Sequence, residues 1–304
     1  MKKIKPTIVV FGCTGTVGTE VMKQLKEYNC KVRGVLRDPE RSYPVSPTLN
    51  ITYVSASLFS MEQLVNACRG ADAVFLLTAT SPNQVEYEMN IIDAAKQCGV
   101  KRIVKLSAPI MQMAAHVEVS QWHHQIDKYL MQNIEEYCCL RPHSFMQNWE
   151  RNTFTIQCFG KIYGALGNVK RNYIDCRDVA TVAVNFLLTP EVVKEESVIL
   201  AGPQAFTNTE IAAKLSHVTG QKIEYIDISP EEFFKLLTKR AKLPVWLANH
   251  IVELDKLAIH VREPEQDTVT ELIARTPRII DEYFQESRDL FKKKSIWKML
   301  TGPK

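Results

Sequence analysis

Three glycines spaced three residues apart follow the first apolar run of this chain. The run, residues 8–11, is short and rich in β-branched side chains, which predicts a buried strand. Gly12, Gly15 and Gly18 follow, and a helical pattern covers residues 19–28. A strand, a glycine turn and a helix in this order are typical of a site where N–H groups at a helix start bind the phosphates of a dinucleotide.

Each glycine has a separate role in such a turn. Gly12 lets the chain turn tightly, Gly15 lets backbone N–H groups approach a phosphate, and Gly18 removes a side chain where the helix meets the strand. The alternative interpretation is a tight turn that binds no ligand. We expect the turn and the helix start to bind a cofactor through six residues: Gly12, Thr14, Gly15, Thr16, Val17 and Gly18.

Length and composition indicate a globular protein with a large core. The chain has 304 residues, 45% of them hydrophobic, which is enough for one large domain or two small ones. Its net charge of +4 comes mostly from scattered basic residues, so nucleic acid is not an expected partner. No apolar stretch approaches the roughly 20 residues of a membrane span, so we expect no membrane association.

The chain has eight cysteines, and no pair has the C-x-x-C spacing of zinc sites or redox motifs. Several lie in apolar runs, where cysteine behaves as a small hydrophobic residue. The N-terminal apolar run is too short for a secretory signal and leads into a glycine turn. We therefore expect no metal site, reduced thiols and a cytoplasmic location.

The end of the second predicted strand bears on cofactor selectivity. This strand, residues 30–36, is followed by Arg37, where a dinucleotide fold places the adenosine ribose. An arginine there pairs with a 2′-phosphate and favours NADP(H), and Arg41 follows one helical turn later. Asp38 lies beside Arg37, and an acidic residue at this place favours NAD. We predict NADP(H) as the cofactor.

Strands and helices alternate along the next part of the chain. Further strands are predicted at 49–56, 73–77 and 101–108, and helices at 60–67 and 84–98. Ser60 is the expected N-cap of the first of these helices, and Gly99 is expected to end the second. Helices of crossover length between strands predict an α/β fold with a doubly wound parallel sheet.

The segment 90–107 carries a specific resemblance. It reads N-I-I-D-A-A-K-Q-C-G-V-K-R-I-V-K-L-S and resembles a block of the NmrA-like family of atypical short-chain dehydrogenase/reductases. Similar blocks begin, in the family's order, at Leu140, Asp175, Leu200 and Thr207. The resemblance therefore covers nearly the whole chain.

This resemblance implies a Rossmann-type core with a small, mostly helical C-terminal subdomain. We expect residues 5–141, completed by 173–201, to form the dinucleotide-binding core. Residues 142–172 and 202–292 are expected to form the substrate or lid subdomain. Its helices are predicted at 208–219, 230–241 and 244–260, and the 277–291 stretch resembles the family's last helix.

The helix predicted at 120–136 bears on catalysis. Ordinary short-chain dehydrogenases place a proton-donating Tyr-x-x-x-Lys pair on it, but here Tyr129 is followed four residues later by Asn133. NmrA-like members often have a histidine followed three residues later by an acid, which His124 and Asp127 match. We expect Asp127 to orient His124, with Ser107 at the end of the fifth strand as the third catalytic candidate. The alternative is a polar surface pair, and His123 is expected to be exposed or to face a protein partner.

The resemblance also implies further contacts with the cofactor. Many relatives have Gly-Asp-Leu where this chain has Ala56-Ser57-Leu58, so Ser57 keeps a hydrogen-bonding oxygen without the charge. Pro142 and Phe145 are expected near the nicotinamide. With Ser57, the cofactor residues implied at the strand ends are Leu58, Leu77, Thr78, Ala79 and Ser107.

Two functions fit a dinucleotide-binding fold that lacks the Tyr/Lys pair. The first is an NADP(H)-dependent oxidoreductase that reduces a small planar apolar acceptor, quinone-like or dye-like, by direct hydride transfer without the Tyr/Lys pair. The second is a catalytically inactive NADP(H)-binding redox sensor that acts through a protein partner. Nucleotide-sugar epimerisation is disfavoured, because that chemistry needs the missing tyrosine.

Overall fold

The structure is a computed structural model that describes residues 5–38, 43–109, 117–189, 196–264 and 266–293. The chain divides into two compact units. The first comprises Met1–His143, Cys176–Leu200 and Thr268–Thr276. The second comprises Ser144–Asp175, Ala201–Asp267 and Pro277–Lys304.

Strands and helices are numbered in chain order. The strands are β1 (Thr7–Val10), β2 (Lys31–Leu36), β3 (Ile51–Ser55), β4 (Ala73–Leu76), β5 (Arg102–Leu106), β6 (Glu136–Pro142), β7 (Ser144–Phe145), β8 (Lys161–Gly164), β9 (Arg171–Ile174), β10 (Ser197–Leu200), β11 (Ala205–Phe206) and β12 (Glu224–Asp227). The helices are α1 (Thr16–Leu25), α2 (Met61–Cys68), α3 (Gln84–Gln97), α4 (Glu118–Asn133), α5 (Thr153–Phe159), α6 (Cys176–Leu188), α7 (Asn208–Thr219), α8 (Pro230–Lys235), α9 (Val245–His260), α10 (Thr270–Ile273), α11 (Ile280–Glu286) and α12 (Arg288–Phe291). A 3₁₀ segment, Met146–Asn152, precedes α5, and a π-helical segment, Leu236–Arg240, follows α8.

The first unit is built on a seven-stranded sheet in the order β10-β6-β5-β4-β1-β2-β3. Every neighbouring pair is parallel. Helix α1 packs against α6, and α2, α3 and α4 pack side by side. Strand β4 is buried along its whole length, as expected for a parallel sheet covered on both faces. This architecture confirms the predicted α/β Rossmann-type fold.

Local signals in the sequence explain where several elements begin and end. Ser60 caps α2 as predicted, because its side chain accepts a hydrogen bond from the Gln63 N–H at 3.4 Å. Gly99 follows α3 with a φ of +71°, a left-handed conformation that suits glycine. Helix α1 begins three residues earlier than predicted, because the Thr19 N–H already bonds to the Gly15 carbonyl at 2.8 Å.

The second unit contains a three-stranded sheet, β11-β9-β7, and a parallel pair, β12-β8. Capping boxes start α7 and α8, with Thr207 paired to Glu210 and Ser229 paired to Glu232. Residues 277–291 form two short helices, α11 and α12, where the resemblance implied one. The segment Thr268–Thr276 groups with the first unit, although the sequence suggested the second. Within the first unit, Arg275 of this segment is paired with Asp178 at 2.6 Å.

Gly18→Ala tests the packing of the glycine turn. An added Cβ would lie 2.1 Å from the carbonyl oxygen of Gly12, so we expect a loss of about 3 kcal/mol in the free energy of unfolding, measured by urea denaturation. Gly15→Ala is the matched control: its Cβ would lie 3.3 Å from the same oxygen, with a cost below about 1 kcal/mol. Equal losses for the two variants would contradict this account of the turn.

Candidate functional site

The carboxyl ends of the strands meet at one edge of the seven-stranded sheet. Chain order along the sheet reverses at β1 and β4, which lie next to each other. In open α/β sheets, this switch point leaves a crevice beyond the strand ends, where ligands bind. The glycine turn follows β1 directly, and Leu77 and Thr78 follow β4. The predicted binding residues of these two loops therefore share one edge.

The glycine turn is tightly packed. Gly12 has a φ of +69°, and a Cβ there would lie 2.5 Å from the Leu77 carbonyl oxygen. The Gly15 N–H closes the turn by donating to the Gly12 carbonyl at 2.9 Å. Gly15 and Thr16 are exposed, whereas Val17 and Gly18 are buried. The start of α1 is therefore open to solvent on one side and anchored in the core on the other.

Helix α1 has a favourable start for an anion. Gly15 is its N-cap and has no side chain to bond the first N–H groups, and no acidic residue lies in the first turn. The positive end of the helix dipole is therefore not balanced by a local carboxylate. These features suit the binding of a phosphate.

The other predicted cofactor residues are distributed over the strand ends. Exposed Arg37 follows β2, exposed Ser57 and buried Leu58 follow β3, and exposed Ala79 follows Leu77 and Thr78. Ser57 Oγ accepts from the Phe59 N–H at 3.4 Å. Buried Pro142 ends β6, and Phe145 lies in β7 of the second unit. Arg41 lies outside the described residues.

A buried cluster of charged side chains lies behind this edge, between the sheet and helices α3 and α4. At its centre is Lys105, a fully buried lysine in β5. Its Nζ lies 3.0 Å from Asp127 Oδ1, 3.0 Å from His123 Nδ1 and 3.6 Å from Glu88 Oε2. Asp127 and His123 are on α4, and Glu88 is on α3. A buried lysine is tolerated when carboxylates neutralise it in this way.

Two hydroxyl groups at the strand ends connect to the cluster. Ser107, the first residue after β5, donates from Oγ to Asp127 Oδ2 at 2.8 Å and to Oδ1 at 3.0 Å. Thr78, two residues after β4, donates from Oγ1 to Glu88 Oε1 at 2.8 Å. The same Glu88 oxygen accepts from Gln84 Nε2 at 3.1 Å. Both strand ends are thus tied to charged groups in the interior.

Burial and charge have opposite effects on the two carboxyl groups. Burial alone would raise the pKa of Asp127, but Lys105, Ser107 and Arg141 hold that pKa below its usual range. For Glu88, burial dominates and raises the pKa, although Lys105 opposes the shift. Asp127 is therefore the carboxyl group that the cluster stabilises in its anionic form.

The expected pairing of His124 with Asp127 is wrong. Asp127 directs its carboxylate at Lys105 and Ser107, whereas His124 is exposed. The prediction that His123 is exposed or faces a partner is also wrong, because His123 is only 8% exposed and its Nδ1 lies 3.0 Å from Lys105 Nζ inside the protein. The buried residues of α4 include Val119, Ile126 and Leu130. His123 lies on that stripe, four residues after the first and three before the second, so helical spacing indicates its burial.

Lys105 and Glu88 were not among the predicted site residues. A lysine inside the apolar run of β5 was the signal for the first. Glu88 shares the buried side of α3 with Gln84 and Ile91, at spacings of four and three residues. Sequence spacing therefore indicates two buried polar residues, but not that they meet.

Tyr129 has a different environment from a catalytic tyrosine. Its hydroxyl donates to Asp93 Oδ1 at 2.7 Å, and this hydrogen bond is the main cause that raises its pKa. Asn133, at the position of the usual lysine, donates to the Tyr129 carbonyl and accepts from Lys96. Tyr129 is thus bonded to α3, away from the Lys105 cluster.

Within the described residues, neither a metal site nor a membrane-spanning helix is found. No group of three or more His, Cys, Asp and Glu side chains there could hold a metal ion. In the same part of the chain, no helix has the length and apolar composition needed to cross a bilayer.

Comparison with known proteins identifies the family. The chain matches the NmrA-like family over residues 4–292. It belongs to this family. A relative, the NAD(P)H azoreductase of Xenophilus azovorans, is 30% identical over 281 residues, which cover 91% of this chain and 96% of the relative. The resemblance stated from the sequence is confirmed.

Two solved structures share the fold of this chain. The NADPH-dependent quinone oxidoreductase of Escherichia coli, solved with NADPH, has a TM-score of 0.77 at 23% identity, covering 92% of this chain and 99% of that chain. NmrA, a negative transcriptional regulator solved with NAD, has a TM-score of 0.76 at 13% identity, covering 99% of both chains. Reductases and a regulator therefore have the same architecture as this NmrA-like protein.

Asp127→Asn tests the buried ion pair. The variant leaves Lys105 without its anionic partner, so we expect about 3 kcal/mol less stability near neutral pH, measured by urea denaturation. Because folding lowers the pKa of Asp127, its contribution is present above the unfolded carboxyl pKa of about 3.9 and is lost as the pH falls through the folded pKa. The difference between the two proteins should therefore shrink below about pH 4.

Glu20→Gln is the control for this variant. Glu20 pairs with Lys23 at 2.7 Å, but the Lys23 side chain is 53% exposed, so the cost should stay below about 1 kcal/mol. An Asp127→Asn variant as stable as Glu20→Gln would contradict the account of the cluster.

Proposed function

We propose that this NmrA-like protein is an NAD(P)H-dependent oxidoreductase that reduces a small planar apolar acceptor. The observation that carries the proposal is the glycine turn at the switch point between β1 and β4, where Gly12, Gly15 and Gly18 leave the start of α1 open to an anion. The names of its azoreductase and quinone oxidoreductase relatives support the reaction class.

The residues present fit a dinucleotide. A Cβ at Gly18 would overlap the Gly12 carbonyl, and a Cβ at Gly12 would overlap the Leu77 carbonyl after β4, so both positions need glycine for packing. Gly15 is exposed at the start of α1, where the absence of a side chain leaves the first N–H groups of the helix open to a pyrophosphate. We propose that the turn and the start of α1 bind the pyrophosphate through backbone N–H groups. Leu77, Thr78, Ala79, Ser107 and Pro142, at the ends of β4, β5 and β6, would border the nicotinamide half. When bound, the cofactor supplies the hydride.

We propose NADP(H) as the preferred form of the cofactor. Arg37 is exposed directly after β2, where its guanidinium can pair with a 2′-phosphate. Ser57, exposed after β3, would contact the adenine end. Neither position carries the acidic side chain that binds a free 2′-hydroxyl, although Asp38 is adjacent to Arg37.

The site has no tyrosine and lysine arranged to give a proton to the acceptor. Tyr129 is bonded to Asp93, and Lys105 is fully buried behind Ser107. Acceptors that need no strong acid fit this arrangement: a quinone becomes a stabilised anion on gaining hydride, and a cationic dye becomes neutral. The chain's contribution would be to bind the cofactor, orient the acceptor and exclude water. The acid role of His124 stays a prediction.

A redox sensor is the second candidate. The observation that favours it is the same absence of a Tyr/Lys pair on α4, together with a fold shared with a regulator solved with NAD. In that case the protein would bind the cofactor tightly, distinguish its oxidised from its reduced form and act through a protein partner.

One experiment separates the two candidates. NADPH consumption is followed by absorbance with a panel of quinones, azo dyes and triphenylmethane dyes, beside calorimetric titrations of NADP and NADPH. We expect turnover above the buffer background with at least one acceptor class. Tight binding of either form with no turnover would favour the sensor, and no binding of either form would overturn both proposals.

Arg37→Ala tests the assignment of the 2′-phosphate. Loss of a charge-assisted contact should weaken NADPH binding by roughly tenfold, while NADH binding changes less than about twofold. Isothermal titration gives both dissociation constants. Lys31→Ala, an exposed cation at the opposite end of β2, is the matched control and should change neither constant. Equal weakening of NADPH and NADH by Arg37→Ala would contradict the assignment.

A further inference from the structure

Lys105 can influence Ser107, at the carboxyl edge of the sheet, through a shared neighbour. It precedes Ser107, the first residue after β5, by two residues, and both side chains contact Asp127, so they lie on the same side of the sheet. Lys105 is fully buried and Ser107 is 6% exposed. The lysine therefore cannot reach a ligand itself, but it contacts the residue that holds Ser107.

That residue is Asp127. Its carboxylate accepts from Lys105 Nζ at 3.0 Å, from Ser107 Oγ at 2.8 Å and from Arg141 Nη2 at 3.3 Å. An ionised carboxylate has only acceptor sites, so the hydrogen between Asp127 and Ser107 belongs to the serine. With its single hydrogen directed at Asp127, Ser107 has only oxygen lone pairs left for any other partner.

We propose that Lys105 is a positioning residue for the cofactor-binding edge: by pairing with Asp127, it fixes the Ser107 hydroxyl so that Ser107 accepts, and does not donate, the hydrogen bond made with a bound ligand. The ligand group must then be a donor, such as a ribose hydroxyl or the amide N–H of a carboxamide. The identity of the ligand as a dinucleotide rests on the proposed function.

This hydrogen-bond arrangement also means that Ser107 cannot act as a proton donor. A serine whose hydrogen is held by a carboxylate does not protonate the acceptor, and Asp127 has no proton to replace one that Ser107 gave away. The site therefore suits acceptors that take hydride without a proton from the protein. Ser107 contributes recognition of the ligand, which differs from the catalytic role expected from the sequence.

The other titratable groups around the pair come from three elements. Glu88 faces Lys105 from α3, His123 from α4, and Cys139 and Arg141 of β6 face Asp127. Burial raises the pKa of the Cys139 thiol to about 12, with a further contribution from the charge of Asp127. Burial also raises the pKa of Glu88. Lys105 lowers the pKa of both carboxyl groups, but only Asp127 is bonded to Ser107, so the charge of Asp127 is the one that determines the direction of the Ser107 hydrogen bond.

Lys105→Met tests the proposal through cofactor binding. The probe is NADP, titrated by calorimetry from pH 8 to pH 5, and the readout is the ratio of the dissociation constants of variant and wild type. Titration of the 2′-phosphate of the probe cancels in this ratio. Without Lys105, Asp127 should take up a proton in this range. Protonated Asp127 would donate its hydrogen to Ser107, which would leave the Ser107 hydrogen free to point at the ligand. Two donors would then face each other, and the ligand should bind more weakly.

We expect the ratio to rise at least fivefold between pH 8 and pH 5. The double variant Lys105→Met/Asp127→Asn lacks the titrating carboxyl, so its ratio should not change with pH. A folded Lys105→Met variant whose ratio stays constant would overturn the proposal, because a purely structural lysine would lower stability without creating a new titration.

A second measurement uses the protein without ligand. Carbon NMR of aspartate labelled at the carboxyl carbon follows Asp127, whose signal is assigned by its absence in Asp127→Asn. In the wild type, this signal should not titrate between pH 5 and pH 8, and in Lys105→Met it should. Titration of wild-type Asp127 in that range would overturn the proposal even if Lys105→Met does not fold. Failure of the proposed function would leave this result unchanged, because no cofactor is present.

Discussion

The backbone contact between Gly18 and Gly12 is the constraint on which the carboxyl edge of the sheet depends. A Cβ at Gly18 would come within 2.1 Å of the Gly12 carbonyl oxygen, so helix α1 can approach the turn only where no side chain exists. Gly12 in turn lies against the carbonyl of Leu77 at the end of β4. The contact therefore joins the two central strands of the sheet at the switch point, where a ligand crevice forms.

Behind this edge, buried charged side chains occupy a place that apolar side chains fill elsewhere in the sheet. Lys105 lies in register with Leu76 of β4 and Cys139 of β6, near the carboxyl end of β5. Asp127 from α4 neutralises it at 3.0 Å, and Glu88 from α3 lies 3.6 Å away, so two helices contact one strand through polar side chains. The same two carboxyl groups accept hydrogen bonds from Ser107 and Thr78, and so orient the hydroxyl groups at the ends of β5 and β4.

The sequence was sufficient for features that depend on local physics. Short patterns predict the glycine turn, the Ser60 cap, the Gly99 helix end and the alternation of strands with helices, and the structure confirms them. The Lys105 cluster depends instead on strand β5 and helices α3 and α4, which are brought together only by the fold. The resemblance favoured His124 because of its spacing to Asp127, whereas the apolar stripe of α4 places His123 inside.

The most direct test of the account follows a labelled hydrogen. The protein is mixed with a cationic triphenylmethane dye and with NADPH that carries deuterium at the transferable position of the nicotinamide. The mass of the reduced dye is then measured by mass spectrometry. Hydride transfer to the central carbon gives a neutral dye with a bond that does not exchange with water, so the account predicts one deuterium in each product molecule. Dye reduced without deuterium would contradict direct hydride transfer. Bound NADPH that is never consumed, with this dye or with the quinones and azo dyes, would contradict the reductase itself.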